Sequence, residues 1–435
     1  MRIENFKKKK GVNKLQRITV NPSSKLSGTV KINGSKNASL PIMAASILCN
    51  EGCVLNNLPD IDDIKNMSEI LNSSGMNSKK SQLLKNSYIC EASSELSPFA
   101  AYEKTNKLRA SFLVAGAFLA KTGYAQISYP GGCPIGSRPI DLHLKGFEKL
   151  GASISTKNGY IEIKAQTLKG NKIYLDFPSV GATENIMIAA TNAKGKTIIE
   201  NAAAEPEIKD LADFINKMGG EVSGAGTDTI IINGVEKLSG GEYSVIPDRI
   251  EAGTYMILAA ATRGKIKLEN IIPEHLAPIC AKLKETGTSV LVSKNSVTVE
   301  GKANFRAVDI KTLPHPGFPT DLQAQFCAMM TKAKGTSIIT ETIFENRFMH
   351  IGELKRMGAK ITLEGRSAII EGVGKLFGTQ TKSTDLRAGA ALIIASLMAE
   401  GESVIEDDGY IKRGYCDFTE NLRNLGADIK EETIV

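Results

Sequence analysis

The sequence predicts an α/β protein made of six repeats of about 70 residues, grouped as two halves of three repeats. Two series of glycines support this prediction, because each series recurs once per repeat. One series follows apolar, alanine-rich segments: Gly52, Gly123, Gly195, Gly264, Gly335 and Gly401. The other ends amphipathic segments: Gly75, Gly151, Gly219, Gly287, Gly358 and Gly426. Glycine readily adopts the left-handed conformation that ends helices, so both series predict helix ends.

The first helix of each repeat is apolar on nearly every side. The six predicted segments are 38–49, 110–120, 184–193, 252–262, 322–332 and 388–398. A helix that is apolar all round is buried in the centre of a protein. We therefore expect helices inside and sheets outside, in two globular halves. A solenoid of six units is the alternative arrangement.

Short strands and a second, amphipathic helix complete each repeat. Segments 197–199 and 336–339 follow turn glycines, and segments 229–232 and 367–370 lie in strand pairs; all four are rich in β-branched residues. This composition is typical of short strands. The order in each repeat is therefore apolar helix, turn, strand, amphipathic helix, capping glycine and strand pair.

Composition and charge exclude several classes of protein. The chain has 435 residues, of which 42% are apolar and 23% are charged, and it has seven cysteines. These values predict a globular protein of a reducing, cytoplasmic compartment. The longest apolar stretch, 388–399, is too short to span a bilayer, and no apolar run follows the basic segment 7–10, so neither a membrane partner nor secretion is expected. The net charge is +7, but residues 1–17 contribute +6, so no nucleic-acid partner is expected.

Positive side chains recur at the starts of the apolar helices. Lys36, Arg109, Arg249 and Arg387 occupy these places in four repeats. Helix starts also offer free backbone N–H groups and a partial positive charge. Any one of these residues alone is compatible with a surface position, but four at equivalent places predict a cleft for a substrate with several phosphate or carboxylate groups.

One repeat carries an insertion rich in glycine and proline. The interval from Gly123 to Gly151 is 28 residues, whereas the same interval in the other repeats is 23–25. The extra segment, 130–139, contains Cys133 and Arg138. A thiol near cations has a lowered pKa and can act as an acid or nucleophile, while an inert loop cysteine is the alternative. The four histidines fit no metal-ligand spacing, so we expect no metal.

Seven collinear motifs resemble one family. They are GSKNA at 34–38, PGGC at 130–133, IGSRPIDLH at 135–143, FPTD at 318–321, ENRFMH at 345–350, TDLRA at 384–388 and RGY at 413–415. Together they resemble the UDP-N-acetylglucosamine 1-carboxyvinyltransferases, enolpyruvyl transferases that open bacterial peptidoglycan synthesis. The resemblance covers about residues 18–430. It implies an inside-out α/β barrel with one domain at 36–246 and a second at 1–35 plus 247–435.

The resemblance also implies a reaction and its site. Phosphoenolpyruvate would be joined to the 3-hydroxyl of UDP-N-acetylglucosamine with release of phosphate and without a cofactor. Asp321 would be the general base, and Cys133 would protonate the vinyl carbon and be the target of fosfomycin. Lys36, itself a catalytic residue, would hold phosphoenolpyruvate with Arg138 and Arg413, near Asp385 and Arg387. The UDP-sugar would be bound by Asn37, Arg109, Arg138, Pro139, Ile140, Asp141, Leu142, Phe177, Pro178, Ser179, Val180, Gly181, Thr320, Asp321 and Ile343. Arg347 would also be a substrate-binding residue.

One departure and two alternatives accompany this resemblance. Some members of the family carry Lys where Phe177 stands, so a phosphate contact there is in doubt. An enzyme acting on shikimate 3-phosphate shares the fold and chemistry, but it would not need PGGC or a uridine pocket. A catalytically idle paralogue that binds UDP-N-acetylglucosamine is the other alternative; the presence of Lys36, Cys133 and Asp321 argues against it.

Overall fold

The structure, a computed structural model, describes residues 15–91, 95–131, 135–137 and 139–434. The basic segment before residue 15 lies outside the described residues, as do Cys133 and Arg138. Helices and groups of strands recur in a similar order along the described chain, as the repeat pattern predicts.

The described strands are short. They are β1 (Leu15–Val20), β2 (Ser27–Lys31), β3 (Cys53–Asn56), β4 (Asn77–Lys80), β5 (Tyr88–Glu91), β6 (Phe99–Ala100), β7 (Tyr124–Ser128), β8 (Ser153–Lys157), β9 (Tyr160–Lys164), β10 (Lys172–Tyr174), β11 (Lys196–Glu200), β12 (Glu221–Ser223), β13 (Thr229–Asn233), β14 (Gly241–Ser244), β15 (Lys265–Glu269), β16 (Ser289–Val292), β17 (Ser296–Glu300), β18 (Ile310–Lys311), β19 (Thr336–Thr340), β20 (Lys360–Glu364), β21 (Ser367–Glu371), β22 (Gln380–Lys382), β23 (Ser403–Asp407) and β24 (Ile429–Ile434).

The described helices include both the apolar and the amphipathic sets. They are α1 (Lys36–Ala45), α2 (Asp62–Ser73), α3 (Tyr102–Thr105), α4 (Val114–Thr122), α5 (Asp141–Lys149), α6 (Val180–Ala190), α7 (Pro206–Lys217), α8 (Arg249–Ala261), α9 (Ala277–Glu285), α10 (Gln323–Met330), α11 (His350–Arg356), α12 (Leu386–Met398) and α13 (Phe418–Asn424). Short 3-10 turns are Ser46–Leu48, Arg109–Leu113, Pro273–Leu276, Thr320–Leu322 and Ile411–Arg413.

The strands form one four-stranded sheet for each predicted repeat. In the described residues the orders are β14-β3-β5-β4, β6-β7-β9-β8, β10-β11-β13-β12, β2-β15-β17-β16, β18-β19-β21-β20 and β22-β23-β1-β24. Each sheet has one parallel pair followed by two antiparallel pairs. This recurring topology confirms the sixfold repeat.

The apolar helices form the centres of two cores. Helices α1, α4 and α6 contact one another, and α8, α10 and α12 form a second set of three. The first core consists of residues between 38 and 245 together with Cys416, and the second consists of residues 18–32 and 250–429. The two cores confirm the arrangement of two three-repeat halves with helices inside and sheets outside, and they exclude the solenoid.

The chain passes between the two halves at two adjacent places. Strands β1 and β2 belong to sheets of the second half, and β14 completes the first sheet of the first half. At the passages Gly34 pairs with Pro247, and the Ser35 N–H donates to the Ile246 carbonyl at 2.7 Å. The two passages are therefore hydrogen-bonded to each other and lie side by side.

The predicted glycine positions hold with one exception. All six capping glycines have φ between 91° and 97°, and five of the six turn glycines also have positive φ. In the fourth repeat Arg263 takes the left-handed conformation instead, with φ of 57°. Gly264 is required there for a different reason, because a Cβ would lie 2.2 Å from the Leu26 carbonyl oxygen.

The described helices are all too short or too polar to cross a bilayer. The longest apolar stretch of the sequence forms α12, which has 13 residues, whereas a membrane span needs about 20. This helix packs at the centre of the second half instead.

Candidate functional site

A cavity of about 670 Å³ lies between the two halves. Most of the predicted site residues line it: Lys36, Asn37, Arg109, Pro139, Asp141, Leu142, Phe177, Pro178, Ser179, Val180, Gly181, Thr320, Asp321, Ile343, Arg347, Asp385, Arg387 and Arg413. Ile140 is not in the lining; it is buried in the first core. Cys133 and Arg138 lie outside the described residues.

The starts of the central helices differ in the charge of their capping groups. The hydroxyl of Ser35 caps α1 and that of Ser179 caps α6. Carboxylates cap two further central helices, because Asp248 and Asp385 each accept two N–H bonds in the first turns of α8 and α12. The expectation that every helix start offers free N–H groups to an anion is therefore wrong for α8 and α12, where the chain's own carboxylate occupies that position.

Asp321 stands in the cavity wall among cations. Its Oδ1 accepts from an Arg347 nitrogen at 2.6 Å, and its Oδ2 accepts from Arg387 at 3.3 Å and from the Asn37 amide at 3.4 Å. Burial favours a raised pKa, but the charges of Arg347, Arg387 and Lys36 outweigh it and hold the pKa of Asp321 well below its usual range. The carboxylate is thus ionised and oriented toward the cavity.

Asp63, which the sequence analysis did not identify, joins two of the predicted anion-binding residues. Its carboxylate accepts from the Lys36 ammonium and from Arg413 Nε, each at 2.8 Å, and its side chain is 1% exposed. Burial opposes ionisation, but these two cations lower the pKa of Asp63. Since Asp63 is on α2 in the first half and Arg413 is in the second, this buried ion pair also connects the halves.

The two segments predicted to line a uridine pocket meet at the opposite wall. A Cβ on Gly181 would lie 3.2 Å from the His143 ring, so the 177–181 turn approaches the start of α5 very closely. His143 is bound to the Asn185 amide at 3.0 Å, and burial lowers its pKa to about 3, so the ring is neutral. Phe177 is 44% exposed at the cavity.

The described part of the predicted insertion reaches across to the second half. The Ile135 carbonyl accepts from the Asn346 N–H at 3.1 Å, and the Ser137 N–H donates to the Glu345 carboxylate at 2.6 Å. Residues 135–137 therefore cover one side of the cavity in this conformation.

An acidic cluster, consisting of Glu184, Glu205 and Glu207, lines another part of the cavity. Burial and the two neighbouring carboxyl groups raise the pKa of Glu184. Glu207 forms an ion pair with Arg249 at 2.9 Å, and Glu205 accepts from the His315 N–H at 3.2 Å. Arg249, one of the four predicted cations at helix starts, is therefore paired with Glu207 in the cavity wall, as Lys36 is paired with Asp63.

The fold and the site define an enolpyruvyl transferase. Two halves of three repeats enclose a cavity in which cations surround an ionised carboxylate. The chain belongs to the EPSP synthase (3-phosphoshikimate 1-carboxyvinyltransferase) family, whose profile matches residues 20–422.

Curated relatives within the family carry a more particular name. The chain is 56% identical to UDP-N-acetylglucosamine 1-carboxyvinyltransferase 1 of Caldanaerobacter subterraneus subsp. tengcongensis, over 95% of this chain and 99% of the relative. It is 53% identical to UDP-N-acetylglucosamine 1-carboxyvinyltransferase 2 of Carboxydothermus hydrogenoformans, over 96% and 99% respectively. The crystal structure of the enolpyruvyl transferase NikO from Streptomyces tendae superposes with a TM-score of 0.87 at 22% identity, over 97% of this chain and 100% of that one. At that identity, the last similarity concerns the fold alone.

Proposed function

We propose that the chain transfers the enolpyruvyl group of phosphoenolpyruvate to the 3-hydroxyl of UDP-N-acetylglucosamine and releases phosphate, the first committed step of bacterial peptidoglycan synthesis. The observation that carries the proposal is the ionised Asp321 in a cavity with Lys36, Arg387 and Arg413. The near-complete coverage of relatives named for this activity supports it. The two small molecules are the only partners proposed; the reaction needs no metal or organic cofactor and takes place in the cytoplasm.

The proposed chemistry is an addition followed by an elimination. The sugar 3-hydroxyl adds to C2 of phosphoenolpyruvate while Asp321 takes its proton and Cys133 gives a proton to C3. In the elimination the Cys133 thiolate takes a proton back from C3, the C–O bond to phosphate breaks, the proton held by Asp321 passes to the leaving phosphate, and the double bond re-forms in the product. Every atom and proton is accounted for by these two groups and the substrates.

Asp321 gains strength as a base when the anionic substrate binds. A carboxylate with a very low pKa accepts a proton poorly. The carboxylate and phosphate of phosphoenolpyruvate would form ion pairs with Arg387 and Lys36. These cations would then stabilise ionised Asp321 less. The pKa of Asp321 would then rise toward a more useful range as the complex forms.

Lys36 and Arg413 are proposed to hold phosphoenolpyruvate. Both face Asp63, which keeps the two cations at fixed positions in the closed cavity. A phosphate group would bind these already oriented cations with little further ordering of side chains, which favours tight binding. Arg138, Asp385 and Arg387 complete this proposed subsite.

The proposed UDP-sugar site occupies the rest of the cavity. Asn37, Thr320, Asp321, Ile343 and Arg347 would position the sugar. The remaining contacts would come from Arg109, Pro139, Ile140, Asp141, Leu142, Phe177, Pro178, Ser179, Val180 and Gly181. Because Ile140 is buried behind the cavity wall, its contribution would come from its backbone.

We further propose that the two halves are separate domains, at 36–246 and at 1–35 plus 247–435. The adjacent passages of the chain at Gly34 and Pro247 would then act as the hinge. Binding of UDP-N-acetylglucosamine would favour the closed arrangement, in which residues 135–137 contact the second domain. Amide hydrogen exchange near 130–139 should slow at saturating UDP-N-acetylglucosamine; an unchanged exchange profile would contradict this closure.

Release of phosphate tests the proposed function directly. The protein is incubated with phosphoenolpyruvate and either UDP-N-acetylglucosamine or shikimate 3-phosphate, and phosphate and product mass are measured. We expect turnover only with UDP-N-acetylglucosamine. Turnover with shikimate 3-phosphate would instead favour the sister activity. Binding of UDP-N-acetylglucosamine by calorimetry without turnover would favour the idle paralogue.

A further inference from the structure

Glu341 is a buried carboxylate with four hydrogen-bond donors. It directly follows strand β19 and is 1% exposed. Its Oε1 accepts from the Thr312 hydroxyl at 2.9 Å and from the N–H groups of Ile343 and Phe344 at 2.7 and 3.1 Å. Its Oε2 accepts from the Thr320 hydroxyl at 2.8 Å. A single side chain thus joins the turn at 343–344 to the turn that begins at Thr320.

These bonds continue in an unbroken series to Asp321. The Thr320 hydroxyl accepts from Arg347 at 2.9 Å, and another nitrogen of Arg347 donates to Asp321 at 2.6 Å. The Thr320 hydroxyl donates its proton to Glu341 Oε2. The oxygen of Thr320 therefore presents its lone pairs to Arg347. Each bond in the series has its direction fixed by Glu341.

We propose that Glu341 is a positioning residue for Asp321 in the proposed reaction. It holds the Thr320 hydroxyl and the 343–344 turn so that Arg347 keeps the Asp321 carboxylate in one orientation toward the sugar hydroxyl. This inference rests on the proposed function. It adds a residue that does not line the cavity and that acts through two others.

The isosteric variant Glu341→Gln tests this role. The amide oxygen can still accept from three donors at the Oε1 position, but the NH₂ group now faces Thr320 and must donate to it. The Thr320 hydroxyl then loses its acceptor and must rotate to find another, which displaces the lone pair that it presents to Arg347. We expect kcat to fall about 10- to 100-fold, since small displacements of a catalytic group have effects of this size, while the KM for phosphoenolpyruvate changes less than about threefold.

The pH profile separates positioning from a purely structural effect. Asp321 faces Arg347, Arg387, Lys36 and the more distant Arg249. If Arg347 is displaced, the ionised form of Asp321 is less stabilised and its pKa rises. The acid limb of the kcat profile should therefore move to higher pH in Glu341→Gln. Normal kcat with an unmoved acid limb in the folded variant would overturn the proposal.

Two controls complete the experiment. Glu371→Gln removes the same charge at the exposed end of β21 in the same sheet, and it should leave kcat and the profile unchanged. In an Arg347→Gln background, Glu341→Gln should have little further effect on kcat, because the two residues act in series; fully additive losses would contradict the inference.

If Glu341→Gln fails to fold, Thr312→Val is tested instead, because it removes one of the four donors to Glu341. It should lower kcat a few-fold, and an unchanged kcat in Thr312→Val would also contradict the inference. Absence of turnover in the wild-type protein would reject the proposed function. An active wild-type protein whose Glu341→Gln variant keeps normal kcat and an unmoved acid limb would reject only the positioning role of Glu341.

Discussion

The cavity holds carboxyl groups in two opposite electrostatic surroundings. The cationic cluster consists of Asp63, Asp321 and the lysine and arginines bonded to them, and there the pKa of both aspartates is lowered. In the acidic cluster the pKa of Glu184 and that of Glu205 are raised. Burial opposes ionisation in all four cases. Neighbouring cations thus reverse the effect of burial on the pKa of a carboxyl group, and neighbouring carboxyl groups reinforce it.

The two aspartates of the cationic cluster differ in access to the cavity. Each is bonded to two cations, but the side chain of Asp321 is 24% exposed and that of Asp63 is 1% exposed. A general base must reach the proton it removes. The difference in exposure therefore supports the proposed base role of Asp321, whereas Asp63 is placed to hold Lys36 and Arg413.

The largest effect is expected from Asp321→Asn. The amide keeps the shape of the side chain but cannot take a proton, so turnover should fall by about 10²–10⁴. Calorimetric binding of UDP-N-acetylglucosamine should stay within about an order of magnitude of wild type. Asp213→Asn, an exposed residue of α7 paired with Lys209, is the matched control. Near-normal turnover in Asp321→Asn would show that Asp321 is not the general base and so does not differ from Asp63 in this respect.

Asp63→Asn should have a smaller effect on turnover and a larger one on binding and stability. Lys36 and Arg413 would lose their shared anion and repel each other. We expect the KM for phosphoenolpyruvate to rise about tenfold and the free energy of unfolding to fall by about 3 kcal/mol, as for other broken buried ion pairs. Steady-state kinetics and denaturant titration measure both.

The neighbouring Asp62 provides the control for that variant. Its side chain is 47% exposed and lies 3.8 Å from Lys65. Asp62→Asn should change the free energy of unfolding by less than about 1 kcal/mol, since exposed pairs contribute little. Equal losses in the two variants would mean that the bonds of Asp63 to the cations have no special importance.

The sequence predicted the repeats better than the ion pairs, for a physical reason. Helix ends depend on local backbone conformation, so glycine positions carry that information within a few residues; only Gly264 was misjudged. Ion pairs depend on partners distant in sequence: Asp63 and Arg413 are 350 positions apart. In the sequence, Asp63 is indistinguishable from an ordinary acidic residue at a helix start. For the same reason the partner of Arg249, Glu207 on α7, was missed.

The cavity-lining residues could be predicted because motifs mark them, but their bonding could not. The motifs FPTD and ENRFMH contain Thr320, Asp321 and Arg347, which the fold brings into contact. Glu341 lies outside both motifs as quoted, and its role follows only from the direction of its hydrogen bonds. Cys133 and Arg138 remain predictions, since the structure does not describe them.

The smallest effect is expected from Glu184→Gln in the acidic cluster. Because the pKa of Glu184 is raised, its carboxyl group is protonated in the folded protein under conditions in which the unfolded chain, with a pKa near 4.3, is already ionised. As pH rises above about 4.3, the unfolded state loses this proton first, so wild-type protein loses stability until the pH passes the folded-state pKa. Glutamine cannot ionise, and the variant should escape this loss.

The measurement is the free energy of unfolding of both proteins from pH 4 to pH 8. We expect similar values at pH 4 and a growing advantage for Glu184→Gln at higher pH, with a slope of at most about 1.4 kcal/mol per pH unit, while turnover stays within about threefold of wild type. Glu207→Gln is the contrasting variant, because it leaves the buried Arg249 without its ion pair and should be destabilised throughout this range. A Glu184→Gln variant that loses stability relative to wild type as pH rises would show that Glu184 is ionised in the folded protein, and the contrast between the acidic and the cationic cluster would then fail.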